Sequence, residues 1–350
     1  MVAVIKAWAY ILATLLGGCV SLPENGPLVG NIQLKDITWK DTVAKSVWID
    51  TDAACSGKTL ILDPDDCWAI LYAIKSPYLD ILGISSVHGN TTSSTAIKSI
   101  QDVFSNTNTS GGSPVELIAH KGANKKYSQI SDKKLNEAVM ALAQKLTHEK
   151  VTIIALGPLT NIALLIDWRP ELVANIESIV VVGGQRTTGP LRPIGSILGF
   201  RDLNIRKDLE AFKRVLDADI PITLLPFEIA QKLTISPSDL KYLASSDMGA
   251  RWVAKRSRRW GFFWRLTTDV RGFHPFDLMA VSFTADPSQF NCKPAVGNLI
   301  KSHGFSRRVE LLVKLKETGN IEYCLDVKKG FKANVLNTLT RQEVTRNLLP

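Results

Sequence analysis

From Val47 onward, short runs of β-branched and aliphatic residues alternate with stretches of helical periodicity. Residues 47–50, 81–87, 115–119, 151–156, 179–182 and 220–225 read as buried strands, apolar at most positions. The stretches 66–76, 92–104, 133–146 and 208–216 space their apolar residues as helices do, and Pro77 ends the first. Strands alternating with helices predict an α/β fold, an open and mostly parallel sheet with helices on both faces. Ligands in such folds bind beyond the carboxyl ends of the strands. Residues 236–285 read as mainly helical, and Ser236-Pro237 is a good helix start. Residues 309–315 and 321–327 predict a late antiparallel pair around Thr318-Gly319-Asn320.

The N-terminus follows a different pattern. Lys6 is the only charge before an apolar run over residues 7–16, followed by Gly17-Gly18-Cys19. The run is shorter than the roughly 20 apolar residues of a membrane-spanning helix. It has the layout of a secretory signal, a positive start, an apolar centre and small residues before a cut. Leu16-Gly17-Gly18-Cys19 further resembles a bacterial lipobox, which implies a signal peptide over 1–18 and lipid on Cys19. Residues 19–45, with Pro23, Gly26, Pro27 and Gly30, then read as a tether, and 46–350 as a single α/β domain. The expected location is periplasmic, on a bacterial membrane, and plain secretion is the alternative. Cys55, Cys67, Cys292 and Cys324 remain, an even number suited to disulfides in an oxidising compartment. Their spacing resembles no zinc site and does not choose the pairs.

The formal net charge of +9 suits anionic partners, but the cations are mostly dispersed and no nucleic-acid motif accompanies them. No nucleic-acid partner is expected. One exception is 251–265, where Trp252, Trp260, Phe262, Phe263 and Trp264 interleave with Arg251, Lys255, Arg256, Arg258, Arg259 and Arg265. This reads first as a helix with an apolar face and a solvated basic face. Its aromatics would also suit stacking on a base or contact with a membrane surface.

The most informative residues are acidic. Asp50-Thr51-Asp52 closes the first strand, where alternate side chains point to the same side, and Asp65-Asp66 opens the next helix. An aspartate at a helix start is explained by capping and by the helix dipole. Four acids in one crevice are not, because without a counter-ion they repel. A hard cation with oxygen ligands resolves the conflict, and Ca²⁺ accepts 6–8 of them.

Asp50-Thr51-Asp52, then Asp65-Asp66-Cys67-Trp68-Ala69-Ile70, resembles the aspartate signature of the inosine-uridine-preferring nucleoside hydrolases. The resemblance continues in order through Leu82 to Asn90, Ala155-Leu156-Gly157-Pro158-Leu159-Thr160-Asn161-Ile162-Ala163, Val182-Gly183-Gly184, Asp202-Leu203-Asn204 and His274-Pro275-Phe276-Asp277. It implies a Rossmann-like core and hydrolysis of the N-glycosidic bond of ribonucleosides by a calcium-bound water. It also implies Ca²⁺ held by Asp52, Asp66, Asp277 and the Leu156 carbonyl, with Asp52 as general base. Asp65 and Asn90 would hold ribose hydroxyls, Asn204 and Asp202 would reach the 5′ side of the sugar, and Asp50 would support the loop.

Three features depart from the family pattern. Residues 53–64 replace a short turn, and Asp63 within them competes with Asp65 for its place. Phe276 stands where well-studied members have a histidine that protonates the leaving base, which leaves His274 and His88 as candidate acids. Asp202 replaces a glutamate. Two alternatives follow: a nucleoside- or ribose-binding lipoprotein with weak catalysis, and a haloacid-dehalogenase-like phosphohydrolase built on Asp50-Thr51-Asp52. Assembly into a homo-oligomer is compatible with either enzyme reading.

Overall fold

The computed structural model describes residues 44–57, 62–107, 118–130, 135–193, 196, 199–301 and 309–341. The leader, Cys19 and nearly all of the tether lie outside the described residues, as do 115–117 and 133–134 of two predicted elements. Among the described residues, the chain forms β1 (Lys45–Thr51), α1 (Asp65–Lys75), β2 (Leu79–Ser86), α2 (Ser93–Thr107) and β3 (Ala119–Lys121). It continues through α3 (Glu137–Leu146), β4 (Val151–Ala155), α4 (Thr160–Trp168) and β5 (Ile176–Val182). Next come α5 (Leu203–Lys207), α6 (Leu209–Leu216), β6 (Ile222–Leu225) and α7 (Phe227–Ala230). The helices α8 (Pro237–Ala244), α9 (Met248–Thr267) and α10 (Phe276–Ala285) follow. The last elements are β7 (Phe290–Lys301), β8 (Val309–Leu315), β9 (Ile321–Val327) and α11 (Phe331–Leu339).

One sheet of order β3-β2-β1-β4-β5-β6-β9-β7-β8 runs through the fold, parallel from β3 to β9 and antiparallel beyond. Its central strands are buried on both faces, which is why they read as continuous apolar runs. Alternate residues serve different layers. Val47, Ile49 and Ile154 join a core with α1, α9 and α10, while Trp48, Ile153 and Ala155 join a second core with α3, α4 and α6. The α/β architecture expected from the alternation is the one observed.

The late hairpin is not. Strands β8 and β9 exist, but both lie antiparallel to β7, on opposite edges of it. Ala295 faces Leu315 on one edge and Ile321 on the other, so the chain switches sides there. The connecting loop crosses so closely that a Cβ at Gly319 would stand 2.0 Å from the Ala295 carbonyl oxygen. Sequence periodicity missed β7 because Pro294, Gly297 and Asn298 interrupt it and most of its side chains are partly or fully exposed. Cys292–Cys324 ties β7 to β9 across this crossing.

Helix α1 is the element that positions the site. Nearly every residue of it is buried, including Asp65, Asp66 and Lys75. Lys75 at its C-terminal end forms an ion pair with Asp247 and donates to the Leu339 carbonyl at 2.6 Å. A buried ammonium stays charged only with such partners. Burial nevertheless lowers its proton affinity.

Candidate active site

The site gathers at the carboxyl ends of the parallel strands, where an open α/β sheet leaves its crevice. Helix α1 contributes Asp65 and Asp66 in its first turn, and α10 contributes Asp277 in its own. Asp65, Asp66 and Asp277 each bring a carboxylate oxygen to within 4.8 Å of the others, and all three are buried. Helix dipoles favour negative charge at both helix starts, but they do not explain why three acids share one buried point.

Strand β1 supplies the next contacts. Thr51 donates its hydroxyl to Asp66 Oδ1. Asp52 follows the strand end, and its Oδ2 accepts the Asn90 amide at 2.5 Å. Gly89 lies directly against this carboxylate, since a Cβ there would stand 1.8 Å from Asp52 Oδ2. Asp50 is held apart from the triad: its Oδ1 accepts Ser85 Oγ at 2.5 Å and Asn161 Nδ2 at 2.8 Å. The two carboxylates of Asp50-Thr51-Asp52 therefore serve different ends, one anchoring the strand and one lying beside the cluster.

Burial raises the proton affinity of these carboxyls, and repulsion among most of them adds to it. Asp52 is pushed up to about 7 and Asp50 to about 6, while Asp63, Asp66 and Asp277 stand well above the ordinary carboxylate range. Asp65 is also raised, again first by burial. Asp50 Oδ2, Asp52 Oδ1 and Asp66 Oδ2 are buried without a hydrogen-bond partner among the described residues. Unpaired buried carboxylate oxygens are costly. An all-oxygen donor set of this kind fits a hard divalent cation rather than a soft one. The acidic cluster is thus a candidate metal centre.

The remaining candidates fall into two groups. Leu156 and Asn204 are brought together, because Asn204 Nδ2 donates to the Leu156 carbonyl at 2.9 Å and to the Val182 carbonyl at 3.3 Å. Asp202 instead caps α5, where its oxygens accept the Ile205 amide at 3.1 Å and the Gly184 amide at 2.9 Å. His88 Nε2 lies 3.1 Å from Thr160 Oγ1 and 3.8 Å from Asp208 Oδ2. His274 Nδ1 meets the Leu233 carbonyl at 2.9 Å, so that nitrogen carries the proton. Burial lowers the affinity of His274 for a second proton. Phe276 is stacked on Phe227 with ring centroids 5.4 Å apart and lies 6.0 Å from Trp264.

Asp66 and Asp277, expected as metal ligands, lie together in the triad; its third member is Asp65, expected to hold a ribose hydroxyl, and the Asp52 carboxylate acts on Asp66 from beside it. A disulfide joins Cys55, within the inserted segment, to Cys67 on α1, Asp63 Oδ1 accepts the Asp65 amide at 3.4 Å, and Asp52 Oδ2 accepts the Asn90 amide. Thr51, Ser85 and Asn161 were not singled out as site residues. Asn161 offered one signal, a buried amide on an otherwise apolar helix.

Fold and site together define an α/β protein with a buried carboxylate cluster, a candidate metal centre, at the carboxyl ends of its parallel strands. Residues 47–344 match the family described as inosine-uridine preferring nucleoside hydrolase, and the chain belongs to that family. A pyrimidine-specific ribonucleoside hydrolase of Shewanella woodyi is 35% identical over 134 residues, which cover 35% of this chain and 41% of that protein. A non-specific ribonucleoside hydrolase of Klebsiella pneumoniae is 24% identical over 307 residues, 78% of this chain and 95% of that one. An uncharacterized protein of Schizosaccharomyces pombe is matched over 62% of its length at 28% identity. The fold is that of a plant nucleoside hydrolase, with a TM-score of 0.67 and 20% identity over 86% of this chain and 99% of that one. A purine-preferring ribonucleoside hydrolase from Gardnerella vaginalis gives the same TM-score at 19% identity, over 85% of this chain and 98% of that one. Family membership displaces the haloacid-dehalogenase-like alternative.

Proposed function

We propose that the protein hydrolyses the N-glycosidic bond of ribonucleosides, releasing ribose and free base, with Ca²⁺ as its metal. The observation that carries this reading is the convergence of Asp65, Asp66 and Asp277 on one buried point, beside an unpaired oxygen of Asp52. Asp52, Asp66, Asp277 and the Leu156 carbonyl would hold the ion, with Asp65 near enough to share it. A bound Ca²⁺ would neutralise the acids and orient both the attacking water and the ribose hydroxyls.

The chain's own groups carry the rest of the reaction. Asp52 accepts the proton of the attacking water through Oδ1, while Asn90 fixes its other oxygen. Departure of the base leaves positive charge on the ribose ring, and the carboxylate cluster stabilises that charge. Asp65 and the Asn90 side chain hold the 2′ and 3′ hydroxyls, and Asn204 faces the 5′ side. Asp202 acts through Asn204, by capping the helix that carries it.

Phe276 offers the leaving base no proton, and burial lowers the affinity of His274 for a second proton; this favours a second reading, a nucleoside- or ribose-binding protein with little turnover. One experiment separates the two. Purified protein with Ca²⁺ is assayed for ribose release from a panel of nucleosides, beside Asp52→Ala. Release abolished in the variant supports the hydrolase; calcium and ribose binding without release supports the binder.

The protein is exported and held at a membrane by lipid on Cys19, as Leu16-Gly17-Gly18-Cys19 suggests. The disulfides Cys55–Cys67 and Cys292–Cys324 suit an oxidising compartment. Labelled palmitate should enter the wild-type chain and not Cys19→Ser; no incorporation into either removes the anchor.

A further inference from the structure

Helix α9 carries a face that the carboxylate site does not use. Arg251, Lys255, Arg258, Arg259, Phe262, Arg265 and Leu266 are exposed and fall on one stripe of the helix by their three- and four-residue spacing. The opposite face, with Val253, Ala254, Ser257 and Trp264, is buried against the core. The helix holds six basic residues and no acidic one. Among the described residues, the five exposed cations on this face form no ion pair. Asp247 at the helix start is already paired with Lys75, and Asp269 stands beyond the helix end.

Two apolar side chains project from the middle of this charge. Phe262 is 60% exposed and Leu266 is 52% exposed, one turn apart. Most of the protein's large apolar side chains are covered, so this pair among cations calls for a partner that is both anionic and apolar. A phospholipid surface is both, within a few ångströms of depth. A second copy meeting this face through a twofold axis would set cations against cations. Single-stranded nucleic acid offers charge and stacking for Phe262, but Leu266 has no ring to stack.

We infer that the exposed face of α9 docks on an anionic phospholipid surface, with Arg258 and Arg259 at the headgroups and Phe262 and Leu266 in the acyl boundary. This contact is independent of any lipid on Cys19 and of the hydrolase reading. It would lay the protein against the bilayer along a helix about 30 Å long.

The test uses the full chain carrying Cys19→Ser, which cannot accept a lipid there. The chain is sedimented with vesicles of phosphatidylcholine alone, or of phosphatidylcholine with phosphatidylglycerol, at low and high salt. Binding to the anionic vesicles should exceed binding to the neutral ones at least about tenfold and should fall with salt. The double variant Arg258→Glu/Arg259→Glu should lose at least about tenfold of that binding. Phe262→Ser should weaken it several-fold, and thermal unfolding should confirm that both exposed-face variants fold. Equal binding to both vesicle types, or binding untouched by the double variant, would overturn the assignment. So would tighter binding to a single-stranded oligonucleotide than to the anionic vesicles.

Discussion

Thr51 donates its hydroxyl to Asp66, fifteen positions later in the sequence, so the last residue of β1 fixes a carboxylate that opens α1. This contact binds the sheet edge to the acidic cluster and leaves Asp66 Oδ2 without a hydrogen-bond partner among the described residues.

Replacing Thr51 by valine should therefore leave Asp66 Oδ1 buried and unpaired, at a cost of about 1–3 kcal/mol. Calcium affinity should fall with it, while Thr51→Ser retains the hydroxyl and most of the affinity. Calorimetric titration of both variants checks this. Equal affinity for wild type and Thr51→Val would remove Thr51 from the site.

Gly89 is the residue whose lack of a side chain the site needs most. A methyl group there would occupy the place of Asp52 Oδ2 and push the carboxylate away from the Asn90 amide. Displacement on the scale of 1 Å costs catalysis about a hundredfold. Gly89→Ala should lose about that factor in kcat and keep a near-normal far-ultraviolet dichroism spectrum. An active Gly89→Ala would mean that the position of Asp52 does not matter.

Much of this was legible because the acids lie in two short local patterns, Asp50-Thr51-Asp52 and Asp65-Asp66. Their burial on a central strand and a buried helix followed from the apolar runs around them. The division of labour was not legible. Whether Asp50 faces Ser85 and Asn161 or the acidic cluster depends on side chains from β2 and α4, which strand alternation alone does not place. The same holds for His274, whose partner Leu233 lies 41 positions away. The β7 crossing was lost for another reason: a partly exposed strand interrupted by proline and glycine has no periodic signal.

The metal-free protein should show an unusual dependence of stability on pH. Asp50 and Asp52 are raised by burial from an ordinary value of 3.8 to about 6 and about 7. Between those limits the folded chain binds protons that the unfolded chain has released. Their contribution to stability is therefore full below about pH 4 and is lost as pH rises through 6 and 7. Melting temperatures of chelator-treated protein should show this loss between pH 5 and 8 relative to Asp50→Asn/Asp52→Asn, and saturating Ca²⁺ should reverse it. The same slope in the double variant would assign the effect to other groups.

Phe276 sets the expectation for substrates. Packed on Phe227 and beside Trp264, it offers the departing base no proton. General acid catalysis contributes about 10²–10⁴-fold, so p-nitrophenyl riboside should be cleaved at least about a hundredfold faster than uridine or inosine. Phe276→His should raise nucleoside cleavage more than aryl riboside cleavage. Equal rates for both classes in the wild type would point to an acid elsewhere in the pocket.

The most direct measurement is a calcium titration of the wild-type chain beside Asp277→Asn. Asp277 enters the cluster from α10, far along the sequence from α1, and its loss removes one corner of the triad. One ion per chain should bind to the wild type, and the variant should bind it at least about a hundredfold more weakly. Equal binding in the two proteins, or none in either, would contradict a shared metal centre.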